Sequence, residues 1–589
     1  MGASGGSSIG GRDGGQGPAA RRRRRWPRRY ESYPTTAGRR VQVALVVAVT
    51  VALYYQQYVG GAVSPSLLAH YHVAFRTYLT IIVVSNGAGA IASLAAGVAD
   101  RVGRVTLAVG GLVAAGLITE VGIPQASGVV AFGALVSLVG VVEGLVLVAT
   151  PALVRDYSPQ VRRGGAMGVW TLGPVLASLS ISEVASHTLE HLAAWQDQYH
   201  IAGAIALVVA AIGAVGLREL APSLRDQLLV SQQDRAIVEA RARGVDLQAA
   251  QRNRWQQMAT LGTVLPAVGV SVFLLLYYTA VAFFVLYFSA VYGFDQARAN
   301  SLGNWFWAAD AAAVVIVGLL SDRTMVRKPY MVVGALGAVA ATAVFAVRAG
   351  DPSTSYASLV VVLVAMSACR GMAYAPWMAA YSETLEERNP ALVATGLGIW
   401  GWILRAVVVV AFLVLPAVVS TVTPVAQYGP RLAGIEGRFA SQVATLEAID
   451  PTTRSALRST PPPPVAVARA LHEIEQRFHV ASGPAVGRLL AVRRLPAADR
   501  AYLAAHGPAV AAARRRAPGQ WQRWWWVCLG GEVAFLPTVL LLRGRWRPSA
   551  ARRDAEVHRR HVEAELARLA GASLQGTVDG PPTSWSTAS

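Results

Sequence analysis

Four ionisable side chains lie deep inside long apolar runs of this chain: Glu143, Asp310, Arg370 and Arg405. A charged group at the centre of a bilayer costs about 2.5–3.5 kcal/mol even on insertion scales, so each needs a partner or a task. A carboxyl group there can take up and release a proton as its surroundings change. A guanidinium beside it can compensate the charge or receive an anion. Around these four stand rings and amides: Tyr54, Tyr55, Gln56, Gln57 and Tyr58 in one run, Tyr277 and Tyr278 in another, and Asn304, Trp305 and Trp307 in a third. Such rings with a few polar groups suit a drug-like or aromatic solute. Glu120, Glu183 and Glu532 read as lying near helix ends, within reach of water, and Trp524 to Trp526 read as interfacial anchors.

The elements that must position these groups are helices in lipid. Over 589 residues the chain is 54% hydrophobic and only 15% charged, with a mean hydropathy of +0.41. That is too apolar for a water-soluble globule of this size. Crossing the hydrocarbon layer takes about 20 apolar residues, and twelve runs have that length, from Val41 to Val63 through Trp524 to Leu542. The net charge of +20 is concentrated outside them. Residues 1–40 carry ten arginines against two acids, residues 421–522 thirteen against six, and residues 543–589 eight against five. The Arg21 to Arg25 run just before the first span points to cytoplasmic retention and anionic lipid, not nucleic acid. Both termini are then expected in the cytoplasm of a multi-pass inner or plasma membrane protein, and the first run is too long for a cleaved signal core.

The expected organisation is a disordered basic tail (1–40), a six-helix bundle (41–217), a cytoplasmic connector (218–263), helices seven to eleven (264–420), an extracytoplasmic insert (421–522), helix twelve (523–542) and a cytoplasmic tail (543–589). In the insert Val467, Leu471, Ile474 and Phe478 recur at helical spacing, so a small helical cap is expected, one that can also offer a surface to a protein partner. Cys369 and Cys528 fall inside spans and support neither a disulfide framework nor a metal site.

Two loops read almost alike. Asp100-Arg101-Val102-Gly103-Arg104 follows the second span, and Gly318-Leu319-Leu320-Ser321-Asp322-Arg323 leads to Arg327-Lys328 after the eighth. The aspartates are 222 residues apart. Leu53-Tyr54-Tyr55 recurs as Leu276-Tyr277-Tyr278 at an offset of 223, Glu143-Gly144 faces Arg370-Gly371 at 227, and Gly168-Val169-Trp170 faces Gly398-Ile399-Trp400 at 230. A slowly drifting offset is what a duplicated bundle with unequal loops produces. The opposite signs of Glu143 and Arg370 allow two arrangements: they approach across a central cavity, or both line it.

On these loops the chain resembles the major facilitator superfamily, whose loop between helices two and three reads Gly, three residues, Asp, Arg, one residue, Gly, Arg. Ala96 stands where the first glycine is expected, while Asp100, Arg101, Gly103 and Arg104 match. The resemblance implies an all-α membrane protein of twelve transmembrane helices in two pseudo-symmetric bundles. It also implies a conformational latch favouring the outward-open state, made of Asp100, Arg101, Gly103, Arg104, Gly318, Asp322, Arg323 and Arg327, with Asp156 as a partner for Arg101 or Arg104. The likeness reaches the drug:proton antiporters in part. Gly173-Pro174 keeps the core of their helix-five signature, but Val169 replaces a glycine, Gly140 stands in place of a helix-four arginine and Glu143 in place of a glutamine.

The expected function is secondary transport of a small molecule by alternating access, coupled to protons, with export of an organic or amphipathic compound. Glu143, Asp310, Arg370, Arg405, Tyr54, Tyr55, Gln56, Tyr277 and Tyr278 are the candidate pathway residues. One alternative is a symporter that imports an anionic metabolite onto Arg370 and Arg405. Another is a non-transporting scaffold or sensor that uses the insert. The sequence has no nucleotide-binding loop, metal-ligand cluster or nucleophile arrangement, so an enzyme, a cofactor and ATP-driven pumping are not expected.

Overall fold

A computed structural model of the chain describes residues 29–94, 101–158, 169–221, 223–224, 254–389 and 392–576. Twelve of its helices are long and apolar enough to cross a membrane. They are α1 (Thr36–Ala62), α2 (Phe75–Ser93), α3 (Arg104–Gln125), α4 (Val129–Tyr157), α5 (Val169–Thr188), α6 (Trp195–Gly216), α7 (Leu261–Tyr292), α8 (Gln296–Thr324), α9 (Lys328–Arg348), α10 (Tyr356–Arg388), α11 (Thr395–Val418) and, after the insert, α17 (Ala497–Leu541). In lipid the backbone must satisfy itself, and long Val, Ala and Leu runs do so as helices. Side-chain caps mark several starts: Thr35 accepts from the Gly38 amide, Asp295 from Arg298 and Ser355 from Ser358.

The first half packs α1 against α4, α5 and α6, with α2 and α3 on α4. The second packs α7 on α11 and α17, α8 on α10, and α9 on α10 and α17. The halves meet where α5 lies on α8, α2 on α11 and α1 on α7. Polar contacts pin this seam at its insert end. Asn300 Nδ2 donates to Ala62 O (3.1 Å), Asn304 Nδ2 to Ser186 Oγ (3.0 Å), and Gln296 Nε2 to Ser66 Oγ (2.5 Å).

The insert is helical: α12 (Val422–Arg438), α13 (Ala440–Ala448), α14 (Pro451–Ala456), α15 (Pro464–Phe478) and α16 (Ser482–Val492). Ile449, Ala470, Ile474 and Ala485 form its own small core, with Leu471 and Phe478 packed against it. Helix α12 touches both halves, because it packs on α17 and also on the short helix Ser64–His70. The Thr423 hydroxyl of α12 accepts from the Phe75 amide at 3.0 Å.

Three boundaries differ from the sequence expectation. Helix α17 runs unbroken from the insert into the membrane, so no break stands at residue 522. As a result Trp521 and Trp525 are buried in the second half against Tyr287, Trp525 also against Phe284, the buried Trp524 donates its Nε1–H to Thr279 Oγ1, and only Trp526 of the three expected anchors is exposed. Inside the span expected as a disordered tail, Arg29–Tyr30 pairs in parallel with Glu219–Leu220, and α1 begins at Thr36. Residues 1–28, most of the 218–263 connector and Asp100 lie outside the described residues. A final helix, α18 (Pro548–Gly576), carries the charged C-terminal pattern.

Candidate functional site

Glu143 sits midway along α4, buried, and faces Gln57 of α1 and Arg405 of α11. Its guanidinium partner therefore comes from the other half, but from α11 and not from the equivalent position Arg370. Tyr54 and Tyr278 share this space with the pair, one from each half. Gln57 and Tyr278 also line a cavity of about 90 Å³, with Tyr58, Asn86 and Ser85 as further polar groups and Ile81, Ile82, Val408 and Phe412 as apolar walls. Gln56 lines the same cavity, and Tyr55 does not. Gln56 Nε2 donates to Ala202 O of α6 at 2.8 Å, and the Tyr55 ring is buried within the first half.

Arg370 belongs to a second cluster, confined to the second half. It is 3% exposed and lies near Asp310 of α8 and Glu532 of α17, with its guanidinium 5.7 Å from the Phe273 ring and 5.8 Å from the Tyr277 ring. Glu532, expected near water, is fully buried, and its Oε1 accepts from the Thr342 hydroxyl at 3.1 Å. The sequence offered no signal for it beyond an acid inside an apolar run. Glu120 and Glu183 do reach the surface, each beside a histidine.

At the terminal end each half repeats one ion pair. Arg104 Nη1 meets the Asp156 carboxylate at 2.7 and 2.9 Å, and Arg327 meets Glu383 at 2.9 Å and Asp322 at 2.6 Å. Arg104 and Arg327 are 223 residues apart, Asp156 and Glu383 are 227 apart, so the repeat extends to side-chain contacts. Burial pushes the Arg327 guanidinium toward losing its charge, and the Glu383 and Asp322 carboxylates more than offset this, holding its pKa above the ordinary value. In the first half Glu219 adds a contact that sequence reading missed. Its Oε1 accepts from the Arg104 amide at 2.8 Å, capping α3, and Gly103 reaches this turn with φ +102°. A Cβ at Gly103 would lie 2.8 Å from Glu219 Oε2. Arg101 and Arg323 are exposed, Gly318 is open to added bulk, and Gly173-Pro174 follows the first turn of α5 with Gly173 against Thr50. Both repeated pairs join elements of a single half.

Two bundles of six helices with matching loops and matching ion pairs are the geometry of one transporter family, and its profile, the Major Facilitator Superfamily, matches residues 45–412. The chain belongs to the Major Facilitator Superfamily. A bacterial homologue of the human lysosomal transporter Spinster, solved inward-facing and unoccupied, is 13% identical; the match covers 86% of this chain and 98% of that one at a TM-score of 0.55. Its inward-facing, occupied form gives 14%, 88% and 98% at 0.52. The xylose transporter XylE from E. coli, partially occluded and inward open, gives 14%, 64% and 91% at 0.50. At such identities the likeness is one of fold. No curated relative matches the chain by sequence.

Within this Major Facilitator protein the departures in α4 have a packing reason. A Cβ on Gly140 would lie 2.5 Å from Ser85 O, and one on Gly144 would lie 2.1 Å from Gly89 O. Helix α2 thus occupies the space where a helix-four arginine would project. Glu143, between these glycines, turns instead toward the other half.

Proposed function

We propose that this protein is a proton-coupled secondary transporter that works by alternating access and exports a small organic or amphipathic compound. The observation that carries this reading is the Glu143–Arg405 juxtaposition: one carboxyl and one guanidinium, from α4 and α11, face each other across the seam between halves beside a cavity. With Glu143 ionised the pair attracts the halves to each other. Protonation of Glu143 removes that attraction, and so does a cationic group of a substrate that takes the place of Arg405, so proton and substrate compete for one carboxylate. Tyr54, Tyr58 and Tyr278 supply ring faces for an amphipathic solute. The Arg104–Asp156 and Arg327–Glu383 pairs keep each half rigid while the seam opens. The tail arginines 21–25 rest on anionic lipid, and both termini face the cytoplasm.

The rival reading, import of an anionic metabolite, loses one of its two arginines, because two carboxyls already surround Arg370. It rests on Arg405 alone. A scaffold role for the insert would leave the Glu143–Arg405 pair without a task.

The test uses proteoliposomes with an internal pH-sensitive dye, challenged with pooled cationic drugs or pooled organic anions. Wild type is expected to move protons against a cationic amphiphile, and Glu143→Gln to lose at least tenfold of that flux, about 1.4 kcal/mol or more of coupling. Proton movement only with anions, and abolished by Arg405→Gln, would establish the import reading instead.

A further inference from the structure

The second cluster has an odd charge count. Asp310, Arg370 and Glu532 lie on α8, α10 and α17, are 7%, 3% and 0% exposed, and are all inside one half. If all three are ionised the cluster carries a net negative charge at a buried site, which is strongly unfavourable. The Glu143–Arg405 pair balances by itself; this trio does not.

We infer that Asp310, Arg370 and Glu532 form a proton-binding site separate from Glu143 and Arg405, holding one proton between its two carboxyls. Arg370 Nε and Nη1 and Glu532 Oε2 are buried without a hydrogen-bond partner, so the arginine is not locked onto either acid. Thr342 of α9, against Glu532 Oε1, donates to a carboxylate and accepts from a carboxylic acid, and so serves both protonation states. Cys369 of α10 and Cys528 of α17 are the other titratable groups near Glu532, both thiols. On the other side Asp310 lies near Tyr277 of α7 and Tyr374 of α10, and Tyr374 in turn is near Tyr278, which lines the cavity. The step itself is simple: an O–H bond forms on one carboxyl oxygen with a proton delivered from the cavity side past Asp310, and no other bond changes. Because the trio lies wholly in the second half, its proton does not depend on Glu143 and adds a second proton-carrying group to the molecule.

The full-length protein in lipid nanodiscs, examined by infrared difference spectroscopy during a pH titration, tests this. Glu143→Gln is expected to retain one carboxylic acid C=O band that disappears on alkalinisation. That band should vanish in Glu143→Gln/Glu532→Gln or in Glu143→Gln/Asp310→Asn. Should those double variants fail to fold, side-chain ¹³C-glutamate and ¹³C-aspartate labelling of Glu143→Gln locates the band without a further substitution. Loss of every titrating acid band in Glu143→Gln alone would overturn the inference, as would a remaining band that neither label shifts.

Discussion

The two halves of this transporter start from one plan and spend their buried charges differently. At the terminal end they agree: Arg104 holds Asp156, Arg327 holds Glu383, and each pair ties the start of one helix to the end of the next. In mid-membrane they diverge. The first half places a single acid, Glu143, between two glycines that bring α2 and α4 into backbone contact, and it borrows a cation from the other half. The second half keeps Arg370 at the matching position and surrounds it with Asp310 and Glu532. A charge shared across a moving seam can report the conformation, whereas a charge enclosed in one bundle can stay compensated in every conformation. The comparison suggests why a duplicated fold gains from losing its symmetry at its centre.

The difference predicts unequal responses. The largest is expected for Arg370→Leu, which strands two buried carboxyls and costs about 3–5 kcal/mol, enough to abolish monodisperse protein in detergent. Arg405→Leu at the half-buried seam should fold and lose only transport. Equal losses of folded protein in the two variants would erase the distinction. Next comes Gly140→Arg, which restores the antiporter residue yet has no room beside Ser85. Overpacking of this kind costs about 1–3 kcal/mol, and a thermal midpoint at or above wild type would show that α2 can give way. Smallest is the terminal pair. Asp156→Asn should cost about 2 kcal/mol, since both partners are only 14–15% exposed. Glu383→Gln should cost under about 1 kcal/mol, since Glu383 is 45% exposed and Asp322 also serves Arg327. Thermal midpoints of the two variants, measured side by side, give that ranking or reverse it.

Some of this was legible at the level of residues. Helix spans are local: a run of twenty apolar residues has one stable form in lipid, so twelve helices could be counted before any contact was known. The duplicated loops carried the family, and the resemblance named Asp156 as a partner for Arg101 or Arg104, of which the structure pairs it with Arg104. Glu219 was not, because capping α3 depends on where the chain goes after α6. Glu532 was misplaced for a related reason. Its position along a helix is readable, but whether that face meets lipid, water or Arg370 is set by helices more than a hundred residues away. Trp524 and Trp525 were misread as anchors because α17 begins at Ala497, so they lie well inside a continuous helix and on its buried face.

What the sequence determined by itself was therefore the number and approximate ends of the spans, the internal duplication, the family and the identity of most buried charges. These follow from hydropathy and spacing, both properties of neighbouring residues. Only the tertiary structure decided how the charges were grouped, Glu143 with Arg405 across the seam and Arg370 with Asp310 and Glu532 within one half. Helix rotation and crossing decide that grouping, and here they are set by contacts such as Gly144 against Gly89 and Thr342 against Glu532. No periodicity within a single helix contains that information.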